Sequence, residues 1–259
     1  MRITTLIYLI IFSLFLHGCS FIKNDDDETK GWSARKIYSE AKKNLNSGEY
    51  ETAIKYYEVL ESRYPFGRFA QQGQIEIAYA YFKFDEPESA IAAANRFIKL
   101  HPNHPHVDYA YYLKGLIYFS RDIGFLARLF QQDNSTRDSS SSKQAFNEFS
   151  TLIRKFPKSR YAPETRLRAL YLRNSLARYE VHAARYYMQR GAYIAAVNRC
   201  KYVLENYARA SSVPDALNIM SRAYEKLKLT KLAADSRRVL NLSYPGYKKQ
   251  SHKSWWNPF

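Results

Sequence analysis

The stretch YETAIKYYEVLESRYP, Tyr50 to Pro65, holds Ala53 followed at +4, +7 and +12 by Tyr57, Leu60 and Pro65. Spacings of four and three set the first three of these on one stripe of a helix. Proline has no N–H to extend the helical ladder and marks the end. The pattern returns four times. It reads Ala90, Ala94, Phe97, Pro102; then Ala145, Phe149, Leu152, Pro157; then Ala196, Cys200, Val203, Ala208; then Ala233, Arg237, Leu240, Pro245. The steps between copies are 37, 55, 51 and 37 residues, and the proline fails only in the fourth copy.

A second helix precedes each of these. Twelve residues before the anchor alanines lie Ala41, Ala78, Ala184 and Ser221, small enough for two helices to cross closely. Gly115 takes that place in the third copy if eighteen residues are inserted after it. Gly48, Asp85-Glu86-Pro87 and Gly191 break the two halves apart. The unit resembles the tetratricopeptide repeat, a helix–turn–helix of 34 residues, here stretched to 37. One such pair cannot bury its apolar stripe alone, so the spacing predicts an all-α solenoid of about five helix pairs with a concave groove. A plain helical bundle is the competing reading, and five matching registers argue against it. The repeats are expected near 34–65, 70–102, 107–157, 162–208 and 213–245, within a domain spanning 32–246. The fourth copy is longer by fourteen residues, about four helical turns, which predicts one long helix from Pro163 to Gly191. The insertion in the third copy, near 121–141, joins an apolar piece (Ile123 to Phe130) to a serine-rich loop, and a moving flap is one reading of it.

The chain opens with Met1-Arg2 and a largely apolar run, Ile3 to Leu16, too short to span a bilayer. It fits a secretory signal. The run ends in Leu16-His17-Gly18-Cys19, which resembles a bacterial lipobox. Residues 1–18 are then a cleaved lipoprotein signal, and Cys19 carries a thioether-linked diacylglyceryl group and an amide-linked acyl chain. Each buried CH₂ contributes about 0.8 kcal/mol, so three chains hold the protein to the membrane for good. His17 stands where a small residue is usual, and an ordinary signal that happens to hold a cysteine is the alternative. Ser20 rather than Asp after the cysteine resembles the sorting pattern of outer-membrane lipoproteins. Residues 19–31, with NDDDETK, read as a flexible tether.

Lys and Arg outnumber Asp and Glu by 40 to 24, a net charge of +16. Such an excess fits nucleic acid or an anionic surface, but an exported chain meets no nucleic acid, which leaves phospholipid or an acidic protein face. With Cys19 lipidated, Cys200 has no intrachain disulfide partner. It occupies a core position of its copy and reads as a buried thiol. His101, His104 and His106 cluster without an acid or cysteine, so no metal is expected. No cofactor motif and no catalytic motif occurs, and the chain is not expected to be an enzyme. The tail 247–259, with its lysines and Trp255-Trp256, is either disordered or a membrane or partner contact.

In tetratricopeptide repeats the groove is lined by the first helix of each pair, at −18, −15, −11 and −8 from the anchor. That gives Arg35, Tyr38, Lys42 and Leu45; Gln72, Ile75, Tyr79 and Phe82; Tyr109, Tyr112, Leu116 and Phe119; and a more basic set, Arg178, Val181, Arg185 and Met188. Aromatics with cations at the edge, Lys42 and Lys83, suit an extended peptide with aromatic side chains and a free carboxylate. The groove residues expected to touch peptide are Tyr38, Lys42, Tyr79, Phe82, Lys83, Tyr109, Tyr112 and Phe119.

SRYPFGRFAQQGQIEIAYAYFK (Ser62 to Lys83), RFIKLHPNHPHVDYAYYLKGL (Arg96 to Leu116), LARYEVHAARYYMQRGAYIAAVNR (Leu176 to Arg199) and the lipobox resemble the BamD family of outer-membrane protein assembly lipoproteins. The likeness runs from about Cys19 to Tyr244, and the tail and the high charge fall outside it. It implies a non-enzymatic subunit, anchored in the outer membrane and facing the periplasm, of the machine that inserts β-barrel proteins. Its implied partners are unfolded barrel precursors, the central barrel subunit through its periplasmic POTRA domains, and the accessory lipoproteins. The basic fourth and fifth copies would face the barrel subunit, with Arg199 and Arg185 as contacts. A different repeat lipoprotein that recruits cell-wall enzymes is the alternative.

Overall fold

The five copies of the spacing become five antiparallel helix pairs. The computed structural model describes residues 28–122 and 139–247. The pairs are α1 (Ala34–Ser47) with α2 (Tyr50–Arg63), α3 (Arg68–Lys83) with α4 (Pro87–Leu100), α5 (Val107–Asp122) with α6 (Ser140–Lys155), α7 (Ala162–Gln189) with α8 (Tyr193–Asn206), and α9 (Val213–Lys226) with α10 (Thr230–Ser243). Each helix packs on its partner and on the next pair, so the core is a row of linked clusters rather than one centre. No helix among the described residues is long and apolar enough to cross a membrane. The signal segment, Cys19, most of the tether, the inserted loop and the tail beyond Tyr247 lie outside the described residues.

Local chemistry sets the boundaries. Ser33 caps α1, its Oγ accepting from Lys36 N–H at 3.3 Å. Pro87 opens α4 from its first turn. The turn inside a pair needs a left-handed residue, supplied by Gly48 (φ 84°), Asp85 (φ 64°), Gly191 (φ 73°) and Lys228 (φ 62°). The first three match the breakers read from sequence, whereas Lys228 carries no turn signal and was not anticipated. The second helix of every pair stops at an aromatic residue at +11: Tyr64, His101, Phe156, Tyr207 and Tyr244, with φ between −129° and −138°. A following proline excludes the helical conformation at that residue in four copies. Tyr207, 3 % exposed, takes the same φ without one, which explains why α8 stops where Ala208 replaces the proline.

The anchors are buried as the spacing requires. Ala53, Ala90, Ala145 and Ala196 are fully buried, as are Phe97, Phe149 and Cys200. Burial pushes the Cys200 thiol up to about 12. At Gly115 the two helices cross closely, since a Cβ there would stand 2.2 Å from a Phe149 ring carbon. Arg237, the charged exception at +4, lies at the surface and pairs with Glu225. At +1 the inner copies bury Ile54, Ile91 and Val197 under the following pair, while the last copy exposes Ala234. The last helix nevertheless leaves Leu232, Val239 and Leu242 exposed.

Three expected boundaries shift. The tether was read as running to residue 31, yet Thr29 is 5 % exposed and its carbonyl accepts from Arg63 Nη1 at 2.5 Å, so the chain is tied to α2 before α1 begins. Tyr247, assigned to the tail, donates its hydroxyl to Asp215 Oδ1 at 2.6 Å and packs on the fifth pair. The insertion is also narrower than 121–141, because α5 runs to Asp122 and α6 starts at Ser140.

Candidate peptide-binding groove

Glu76 organises the first two pairs. It sits on α3 at 8 % exposure. Its Oε1 accepts from Lys42 Nζ at 2.7 Å, Gln72 Nε2 at 2.8 Å and Tyr38 Oη at 3.2 Å, and its Oε2 accepts from Tyr57 Oη at 2.6 Å. A buried carboxylate is tolerated when its lone pairs are filled this way. Burial, then the Glu76 charge, pushes the Tyr38 hydroxyl up to about 12; burial with the Glu76 hydrogen bond raises Tyr57 further. Both tyrosines therefore stay neutral donors.

From Tyr38 a row of rings crosses the first helices of the pairs. Tyr38 lies 5.3 Å from Phe69 between ring centroids. Tyr79 packs against the clusters of both the first and the second pair. Tyr109 touches three clusters, and burial, then Tyr161 and Tyr79, raises its hydroxyl pKa. Tyr161 lies 5.5 Å from Tyr109 and stacks on Tyr112 at 4.6 Å. Phe119 meets Tyr171 edge-on at 6.2 Å and carries the Arg168 guanidinium 5.0 Å above its ring. Rings half in the core and half at the surface give rigid apolar contact with few torsions to freeze.

The expected residues divide by position. Those at −11 and −8, Tyr79, Phe82, Leu116 and Phe119, are half-buried, with part of each ring or chain facing outward. Those at −15 in copies two to four turn into the seam between successive first helices, whereas Tyr38, at −15 in the first copy, is half-buried. Ile75 and Val181 are 2 % exposed and Tyr112 is 8 % exposed, with its hydroxyl on Glu164 Oε2 at 2.7 Å. Tyr112 therefore supports the wall from behind rather than forming it. Leu45, 7 % exposed, is likewise core. Lys42 is committed to Glu76 and is not a free cation. Lys83 is exposed, 5.9 Å from the Tyr50 ring centre. Phe69, Tyr161, Arg168 and Tyr171 belong to the same row and were not anticipated. They sit on helix starts or on the extension of α7, where the repeat register does not apply.

The basic end is structural as well. Arg199 Nη1 donates to Glu180 Oε2 at 3.0 Å, and Lys143 Nζ lies 3.4 Å from Oε1 of the same carboxylate, which is 1 % exposed. Arg199 thus joins α8 to α7 and offsets a buried charge, while its side chain stays 42 % exposed. Arg185 pairs with Asp215 at 2.8 Å and ties α7 to α9. Two of the three histidine rings are hydrogen-bonded: His101 Nε2 is 2.7 Å from Gln74 Oε1, and His104 Nδ1 accepts from the His106 backbone N–H at 3.1 Å. Among the described residues no group of three or more His, Cys, Asp or Glu is arranged to hold a metal.

The profile of the outer membrane lipoprotein family YfiO matches residues 30–240. The chain is 45% identical over 241 residues to the outer membrane protein assembly factor BamD of Neisseria meningitidis serogroup B, covering 91% of this chain and 90% of that one. It is 35% identical over 243 residues to the BamD of Vibrio cholerae, covering 94% and 99%. Among solved structures, the TPR2AB domain of yeast Sti1 in its pHSP90 complex matches at 14% identity over 83% of this chain and 78% of that one. Its TM-score of 0.44 is too low to add to the helix pairs already described.

Proposed function

This chain belongs to the outer membrane lipoprotein family that contains the BamD assembly factors, and from that premise we propose that it is a non-enzymatic subunit of the machinery that assembles β-barrel proteins into the outer membrane. Lipid on Cys19 anchors it there, facing the periplasm. The first helices of pairs one to four take an extended precursor strand, and the basic fourth and fifth pairs dock on the periplasmic domains of the central barrel subunit. The observation that carries the reading is the set of half-exposed rings along the first helices, with Phe69 beside Tyr38, Tyr79 near Tyr109, Tyr109 beside Tyr161, and Phe119 beside Tyr171. A β-strand shows alternate side chains to one side. A strand with aromatics at every second residue would set ring on ring along this row.

The mechanism needs no bond chemistry. Assembly requires holding a precursor that would otherwise expose unpaired strand edges. Fixed rings give contact without specifying one sequence, which suits a receptor for many precursors. The Glu76 and Glu180 networks hold the repeats in register, so that the row stays straight across pairs. The test is binding of a fluorescent ten-residue peptide with alternating aromatics to the full lipoprotein in detergent. Tyr79→Ala with Phe82→Ala should weaken it about tenfold or more, two lost aromatic contacts at roughly 1 kcal/mol each or better. Unchanged affinity with unchanged helix content would remove the groove from the account.

A further inference from the structure

The longest helix outruns its partner. α7 has 28 residues and α8 has 14. The turn that follows α8 lies level with Asn174, whose Oδ1 accepts from the Ser211 N–H at 3.3 Å. Asn174 is the thirteenth residue of α7, so about 18 Å of helix projects past that turn at 1.5 Å per residue. Further along, α7 buries Ala177, Val181 and Ala184 in the core it shares with α8 and α9. Steps of seven residues carry the same side back to Leu167 and Leu170. There it is bare: Leu167 is 70 % exposed and Leu170 45 %. Cations crowd this end. Arg154 and Lys155 close α6, Lys158 and Arg160 lie in the turn that follows, and Arg166 is on α7, all exposed. Among the described residues none of the five forms an ion pair. The hydrogen bonds of Lys155, Arg160 and Arg166 go to neutral oxygens, the Tyr111 and Tyr161 hydroxyls and the Pro157 carbonyl. The neighbouring acids are taken, Asp108 by Ser159 and Glu164 by Arg168 and Tyr112. The chain also enters on this side. Antiparallel helices put the turns between pairs on one edge and the turns within pairs on the other. Thr29 and Trp32 are tied to Arg63 and Tyr64 at the end of α2, which places the start of the described chain on the between-pair edge. Ten residues separate Thr29 from Cys19, at most about 36 Å of extended chain.

We infer that this projecting corner lies on an anionic phospholipid surface, with Leu167 and Leu170 entering the headgroup region and the five cations meeting lipid phosphates. The inference rests on the reading of Cys19 as a lipid anchor and deepens it by stating which edge of the solenoid faces the bilayer. Exposed leucines beside unmatched cations are the two parts of an interfacial contact, apolar burial and attraction to anionic lipid. Arginine meets a phosphate through two parallel N–H···O bonds. Two leucines fall far short of the roughly 800 Å² per partner that a standard protein interface buries, whereas a lipid surface asks for no matching shape. The tether holds this edge within reach of the membrane, so the corner contact forms intramolecularly, at a high effective concentration, even if it is weak alone. An acyl group fixes where the chain is but not how it is turned. A second contact at the far end of the same edge removes that freedom and holds the rings of the first helices at one height above the bilayer. It also gives a use to part of the net charge of +16, which the groove leaves idle.

The experiment uses the mature chain with Cys19→Ser, which takes no acyl group, so that vesicle binding reports on the protein surface alone. Sedimentation with vesicles of phosphatidylethanolamine and phosphatidylglycerol should capture it, less so as salt rises, and vesicles of phosphatidylcholine should capture little. Arg154→Gln, Lys158→Gln and Arg166→Gln together should weaken binding about a hundredfold, roughly fivefold for each cation. Leu167→Gln with Leu170→Gln should weaken it about tenfold through the lost apolar contact. All five side chains are exposed, so the melting points of both variants should match the parent. Lys226→Gln, Lys228→Gln and Lys231→Gln make the same charge change at the turn within the fifth pair, on the opposite edge, and should leave binding unchanged. Failure of the parent to bind anionic vesicles overturns the proposal. So does an equal loss in the opposite-edge variant, which would show charge acting without regard to place. Corner variants that bind vesicles like the parent, but whose acylated forms no longer retain the barrel subunit, overturn it and make the corner a protein interface. The anchor itself is read separately, from the mass of the mature protein, so an unacylated Cys19 and a silent corner are distinguishable failures.

Discussion

Replacing Arg199 by Glu separates a docking contact from a structural one. Glu180 is 1 % exposed and is held by Arg199 at 3.0 Å and Lys143 at 3.4 Å. Arg199→Gln removes one charge-assisted hydrogen bond, a loss of about 1.5–3 kcal/mol. Arg199→Glu goes further and faces the buried carboxylate with a like charge. Breaking a buried pair costs about 3–5 kcal/mol, and the remaining Lys143 keeps the value at the lower end. At roughly 2–4 °C per kcal/mol for a domain of this size, the charge reversal should lower the melting point by about 10 °C. The second-site change Glu180→Gln should restore most of it, because a neutral amide can donate to the new carboxylate. Thermal unfolding followed by circular dichroism, on parent, both single variants and the double, reads all of this. A melting point for Arg199→Glu within about 2 °C of the parent would refute the claim that Arg199 offsets Glu180. The stable double variant is then the proper reagent for docking. If it still captures the barrel subunit, Arg199 acts through the fold; if it does not, the guanidinium also touches the partner.

Gly115→Ala should destabilise although alanine is the better helix former by about 1 kcal/mol. The new methyl would start 2.2 Å from the Phe149 ring, and overpacking of that kind costs about 1–3 kcal/mol; a raised midpoint in urea would show that the ring yields freely. The His104 imidazole lies below its usual 6.5 because of burial, then the charges of His106 and His101. The fold thus favours the neutral form, the unfolded chain binds the proton first, and stability is lost as pH falls through about 6.5 until the folded imidazole is itself protonated. The urea midpoint should drop between pH 7.5 and 5.5 more steeply in the parent than in His104→Asn, and equal slopes would count against it.

The helix pairs were legible because one spacing recurs five times and each anchor is a small or apolar residue whose burial leaves no choice of face. The turn at Lys228 was not, since lysine takes a left-handed conformation only when the surrounding register imposes it. The aromatic row was half legible. Tyr79, Phe82, Tyr109 and Phe119 follow from the repeat frame, but Tyr112 falls on the −15 position, which the seam between pairs takes up. The acids were the main omission. Glu76 and Glu180 stand out by no sequence signal, and their partners Lys42 and Lys143 lie 34 and 37 residues away, about one repeat, which helical periodicity cannot see. The pairing of Arg199 with Glu180 across two helices is equally out of reach of a single helix's period.

The central claim is that this chain works within the barrel-assembly machinery. Its most direct test is capture of the mature chain from cells in mild detergent, with mass spectrometry of what comes with it. The account predicts stoichiometric recovery of a large outer-membrane barrel protein with periplasmic POTRA domains. Recovery of cell-wall enzymes without that barrel would contradict it.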